Sequence, residues 1–112
     1  MLAKVLIALV ALIHVYILVL EMFLWQGRAR RIFGMSVEQA AATAVLAKNQ
    51  GLYNGFLAAG LVWGLSTSLD RTVFFLICVA VAGIYGAITA NKRILFVQTV
   101  PAAVALAALW LS

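Results

Sequence analysis

Val5-Leu-Ile-Ala-Leu-Val-Ala-Leu-Ile-His14-Val-Tyr16-Ile-Leu-Val-Leu-Glu21-Met-Phe-Leu-Trp25 is an apolar run broken only by His14 and Glu21. A helix needs about 20 apolar residues to cross the hydrocarbon core of a bilayer, and this run is long enough. Three more runs follow: Asn49 to Leu69, Thr72 to Asn91 and Ile94 to Ser112. Four spans leave little chain for a soluble domain. The composition agrees: of 112 residues, 67% are hydrophobic and 10% charged, whereas soluble domains average about 45–50% apolar and about 25% charged residues. That excludes a disordered chain, a disulfide scaffold and an ordinary soluble enzyme. Backbone amides in lipid must be satisfied within the segment, so the spans are helices; the alternation of a membrane β-barrel is missing. The expectation is an all-α, four-helix transmembrane bundle forming a single domain over 1–112. Its helices cover about 4–26, 37–67, 71–91 and 93–111, the second with a cytoplasmic or interfacial start.

Lysine and arginine counts orient the bundle. Arg28, Arg30, Arg31 and Lys48 follow the first span, and Lys92 and Arg93 separate the third from the fourth; only Lys4 and Arg71 fall on the other side. The first and third loops are therefore expected in the cytoplasm and both termini on the extracytoplasmic side. Trp25 then sits at the cytoplasmic interface, Trp63 and Trp110 toward the outer one. The net charge of +5 serves topology, and no nucleic-acid partner is expected. The first run is too long for a signal peptide and is followed by arginines, not a small-residue cleavage site, so it reads as a retained helix. Cys78 lies alone in an apolar run and reads as a small buried hydrophobe. With one histidine and no CxxC spacing, no metal site and no cofactor are expected.

Ser36-Val-Glu-Gln39 fits a capping box, and the alanine-rich stretch from Ala40 to Ala47 favours helix. The second helix is thus expected from near Val37. Unbroken to Ser66 it would reach about 45 Å, so its start projects, lies along the interface, or breaks near Gly51. Gly51-x-x-x-Gly55, Gly60-x-x-x-Gly64 and Ala82-x-x-x-Gly86-x-x-x-Ala90 are small-residue spacings that let helices approach closely. Pro101 frees the carbonyl of Val97 and predicts a kink beside Gln98.

Polar side chains inside spans are costly and face the bundle interior. The topology puts His14 near mid-membrane. Glu21, Asn49, Gln50, Tyr53, Asn54, Tyr85, Thr89 and Gln98 then fall in the cytoplasmic half. His14 and Glu21 are two turns apart on one face; the pairs Asn49/Tyr53, Gln50/Asn54 and Tyr85/Thr89 each share a face. These nine residues form a candidate polar pocket with Glu21 as its acid. The competing reading is equally physical: interhelical hydrogen bonds that only hold the bundle together, and a Glu21 carboxylate reaching the interface beside Arg28 or Arg30.

Three strings carry a family resemblance: His14 through Trp25; Asn49-Gln-Gly-Leu-Tyr53-Asn54-Gly55-Phe-Leu-Ala-Ala-Gly60-Leu; and Gly83-Ile-Tyr85-Gly86 with Gln98-x-x-Pro101-Ala. Together they resemble the small bacterial integral membrane family catalogued as domain of unknown function 1304. The resemblance covers nearly the whole chain and implies a four-helix protein of the bacterial inner membrane, multi-pass. It implies no activity.

Three functions compete. The first is binding or transport of a small amphiphile or lipid through the polar pocket, with membrane lipids as partners and a homo-oligomer left open. The six-to-two charge bias argues against the dual-topology dimer of the small multidrug-resistance transporters. The second is a structural or accessory membrane subunit. The third is a membrane-embedded enzyme on a lipophilic substrate, with Glu21 as acid or base and Tyr53 or Tyr85 as donor.

Overall fold

A computed structural model of the chain describes residues 1–112. It is all-helical. Helix α1 runs Leu2–Met22, a π-helical turn Trp25–Ala29 leads into the short α2, Arg30–Phe33, and α3 runs Val37–Thr67; α4 is Leu69–Thr89, and a second π-helical turn, Leu95–Thr99, opens into α5, Val100–Leu111. All peptide bonds are trans, and Gly34 alone has positive φ.

The first helix ends four residues before the expected 26. Leu24 leaves the helical region at φ −123° and ψ 16°, and its carbonyl accepts from the amides of Gly27 (3.2 Å) and Ala29 (2.9 Å), the second of these opening the wide turn. The first loop is therefore largely helical. It stops at Gly34, whose φ of +65° is the left-handed conformation that costs a side chain about 1–2 kcal/mol. The amide of Met35 closes the end on the Arg30 carbonyl at 3.0 Å, as in a Schellman cap. The capping box is formed in full: Gln39 N–H donates to Ser36 Oγ at 3.0 Å and Ser36 N–H to Gln39 Oε1 at 3.1 Å. From there α3 continues for 31 residues without a break at Gly51. The fourth long helix departs from ideal geometry where Pro101 predicts it. Pro101 cannot donate to Val97, and the turn immediately before it, Leu95–Thr99, is wound as π-helix, a known way to absorb a missing bond.

The chain divides into two compact units: Met1–Ile13 with Leu57–Ser112, and His14–Phe56. The first holds an apolar core of Ile7, Val10, Ala11, Leu61, Leu76, Val79, Ala102 and Ala105. Glycines bring its helices together. A Cβ on Gly60 would strike the ring of Phe75, and one on Gly64 would lie 2.7 Å from the backbone nitrogen of Thr72. Gly83 meets Thr99 and Gly86 meets Ile94. The close approach of α4 to the second π-helical turn thus runs through Gly83 and Gly86, while Ala82 and Ala90 of the expected small-residue stripe are exposed. Thr99 Oγ1 donates to the Ala80 carbonyl at 2.9 Å across the same contact.

Two helices, Leu2–Phe23 and Leu69–Thr89, are long and apolar enough to cross a membrane. They are not buried core helices: 28% and 22% of their most apolar windows are buried, and Leu9, Leu12, Phe74, Ile77, Val81 and Ile88 are exposed. α3 has the length, but its Asn49-Gln50 and Tyr53-Asn54 pairs dilute its apolar character. The segment Leu95–Leu111 is apolar and shorter.

The glycine contacts generate a paired prediction. Gly64→Ala forces a methyl against the Thr72 backbone and should destabilise the purified protein by about 1–3 kcal/mol, the usual cost of overpacking. Gly27→Ala, with open space around its Cβ position, should be neutral or stabilising by up to about 1 kcal/mol. Thermal unfolding in one detergent compares them; equal losses would remove the packing role of Gly64.

Candidate functional site

The unit His14–Phe56 contains a side-chain hydrogen bond between predicted site residues on two different helices. Gly51 and Gly55 make it possible. A Cβ on Gly51 would lie 2.5 Å from Met22 Cγ and 3.1 Å from Glu21 Cβ, and one on Gly55 2.7 Å from Leu18 Cδ1. With no side chain at either position, the α1 segment around Glu21 seats directly on α3. Asn54, one turn past Gln50, then faces Glu21.

Asn54 Nδ2 donates to Glu21 Oε1 at 2.7 Å and to its own helix at the Gln50 carbonyl, 3.0 Å away. An amide nitrogen has two hydrogens, so both are committed. Asn54 is buried, 8% exposed, and Glu21 is half-buried. The carboxylate therefore finds its partner in an amide, not in Arg28 or Arg30. One oxygen is held and the second, Oε2, is left for a further donor. A carboxylate oxygen can accept from an N–H or O–H donor.

The other predicted residues of this unit divide. His14 is fully buried. Gln50 is exposed and contributes its backbone carbonyl to the Asn54 pair. Asn49 is exposed and turns its amide back to the Val45 carbonyl at 3.1 Å. Tyr53 is exposed and packs edge-on against Phe56, ring centres 5.8 Å apart. In the unit of α4 and α5, Tyr85 is exposed, Thr89 donates to the Tyr85 carbonyl at 2.8 Å, and Gln98 is half-buried. No group of three His, Cys, Asp or Glu is placed to hold a metal.

Two features escaped the sequence reading. The indole Nε1 of Trp25 donates to Thr43 Oγ1 at 2.9 Å, and that hydroxyl donates onward to the Gln39 carbonyl at 2.7 Å. A tryptophan just past a span reads as a belt residue, and nothing local pairs it with a threonine in an alanine run. The second is a recess of about 220 Å³ at the turn between α3 and α4, lined by Lys4, Gly64, Ser66, Ser68 and Thr72 among others. None of the nine predicted residues lines it. Ser66 and Thr72 already donate to helix carbonyls, of Val62 at 2.8 Å and Ser68 at 3.2 Å.

The chain belongs to the family described as protein of unknown function DUF1304, which matches residues 8–110. It is similar to an uncharacterized protein, YpaA, of Lactococcus lactis subsp. lactis (strain IL1403): 36% identical over 96 residues, covering 80% of this chain and 81% of the relative. No solved structure matches it.

If Glu21 and Asn54 bond as placed, Glu21→Ala and Asn54→Ala must be non-additive. Their double-mutant cycle should show a coupling of about 0.6–1.7 kcal/mol, the range for polar pairs in membrane proteins. A matched cycle of Glu21→Ala with Tyr53→Phe should show none. Additive losses in the first cycle would remove the pair.

Proposed function

For a chain of this family we propose a multi-pass inner-membrane protein that binds a small amphiphile or lipid in its cytoplasmic half. Four segments cross: α1, the membrane part of α3, α4, and α5 with the π-helical turn before it. Met1 and Ser112 face the extracytoplasmic side, and the arginine-bearing segment after α1 faces the cytoplasm.

The apolar, mostly exposed surfaces of α1 and α4 support the membrane reading, because water would be a poor solvent for them. The bias of arginine and lysine supports the orientation. The observation that carries the binding reading is the Glu21–Asn54 pair. A carboxylate held at one oxygen by a buried amide, near the end of an apolar helix, is suited to a headgroup that carries a donor. The amphiphile's chain would lie along the apolar helix faces, and Gln50 would offer its exposed amide beside the pair. In this orientation His14 lies deeper than Glu21, and Asn49 and Tyr53 border the headgroup side. The same pair favours a second reading, an accessory subunit in which the hydrogen bond only clamps α1 to α3, because both Asn54 hydrogens are used within the chain.

Native mass spectrometry of the protein released from gentle detergent tests the choice. The binding reading expects a small amphiphile at fixed stoichiometry, lost in Glu21→Gln while the fold persists. A bare protein, or one carrying another polypeptide, contradicts it and favours the clamp. Retention of the amphiphile by Glu21→Gln removes the carboxylate from the site.

A further inference from the structure

The segment after α1 has a composition and a build that the amphiphile site leaves unexplained. Within Trp25–Phe33 stand Arg28, Arg30 and Arg31. Arg28 and Arg31 are exposed and Arg30 is half-buried, and none forms an ion pair within the chain. Trp25, Ala29 and Phe33 recur every four residues. Ala29 is fully buried, and the Trp25 and Phe33 rings meet at 6.0 Å between centres. Ile32 and Phe33 nevertheless remain about half exposed, and Phe23 is 71% exposed.

The segment is held in place at both ends. Trp25 is hydrogen-bonded to Thr43, and the left-handed Gly34 closes α2. A held helical turn that carries three arginines beside the exposed apolar Ile32 and Phe33 follows a helix long enough to span. A flexible loop would need neither the tryptophan bond nor the cap.

We infer that Trp25–Phe33 is an interfacial binding surface for anionic phospholipids. Its arginines engage headgroup phosphates, and Phe23, Ile32 and Phe33 enter the acyl boundary. The inference rests on α1 spanning the membrane and is independent of the Glu21 site. Arginine suits the role because its planar guanidinium meets phosphate oxygens in pairs. Each basic side chain at an anionic surface strengthens binding by about fivefold, and the exposed apolar residues add insertion. Lys48, exposed in the same unit, adds to the positive field. The acids of that unit are Glu21, which is bonded to Asn54, and Glu38, in the first turn of α3.

Trp25 is a built-in reporter. In the full chain carrying Trp63→Phe and Trp110→Phe it is the remaining tryptophan. Its fluorescence is titrated in mixed micelles with bromine-labelled phosphatidylglycerol or bromine-labelled phosphatidylcholine. Quenching should reach its midpoint at a phosphatidylglycerol fraction at least about fivefold lower than for phosphatidylcholine. Added salt should narrow the difference. Replacing Arg28, Arg30 and Arg31 with glutamine should abolish it, and replacing them with lysine should keep most of it. Glu21→Gln should leave it unchanged, which separates this surface from the amphiphile site. Equal midpoints for the two lipids in the arginine-bearing protein would overturn the inference without any variant. So would a preference that survives the glutamine changes, or one erased by millimolar inorganic phosphate, which would indicate a site for free anions.

Discussion

Close approach of helix backbones at residues without side chains governs this structure. In the unit His14–Phe56, Gly51 and Gly55 admit Met22 and Leu18, and that distance places Asn54 Nδ2 against Glu21. In the other unit, Gly60 and Gly64 admit Phe75 and Thr72, and Gly83 and Gly86 admit Thr99 and Ile94. Where apolar surface gains little by leaving an apolar solvent, packing and hydrogen bonding must supply the association. Glycine serves both, because it brings atoms into contact and lets short polar side chains reach across.

The polar groups follow the same economy. Ser66, Thr67 and Thr89 hydroxyls and the Asn49 amide each turn back to a carbonyl four residues earlier in their own helix. Such bonds satisfy a polar group locally and leave the helix exterior apolar. Asn54 differs. Its amide makes the same local bond to Gln50 and then a second one across to Glu21. A carboxylate half-buried on an apolar helix is the expensive group of the unit, and the amide opposite is what makes that position tolerable.

Much of this was legible in the sequence, for identifiable reasons. The apolar runs gave the long helices, because length and hydrophobicity are additive along the chain. The capping box located the start of α3, because its two bonds are local. Glu21 and Asn54 both stand out as polar residues within long apolar runs. Their mutual bond does not, because it depends on the rotation and distance of α1 against α3. For the same reason the spacing Ala82-x-x-x-Gly86-x-x-x-Ala90 contains one contact residue, Gly86, and misses the other, Gly83. The end of α1 at Met22 was invisible because Phe23, Leu24 and Trp25 are as apolar as the helix before them. Past that end, Trp25 is bonded to a distant partner, Thr43. Depth and shared faces place Asn49 and Thr89 with the pocket residues, but neither can tell a side chain facing a neighbour from one folded back on its own helix.

The proposed amphiphile site rests on the proposed four-span orientation, and the proposed arginine surface rests on its first span. The most direct measurement of that orientation is thiol accessibility in intact cells. In a Cys78→Ser background, single cysteines are introduced as Gln26→Cys, Ser68→Cys, Asn91→Cys and Ser112→Cys and treated with a membrane-impermeant reagent. The account predicts that positions 68 and 112 label from outside, and that 26 and 91 label only after permeabilisation. Labelling of 26 from outside, or of 68 and 112 on opposite sides, would contradict it.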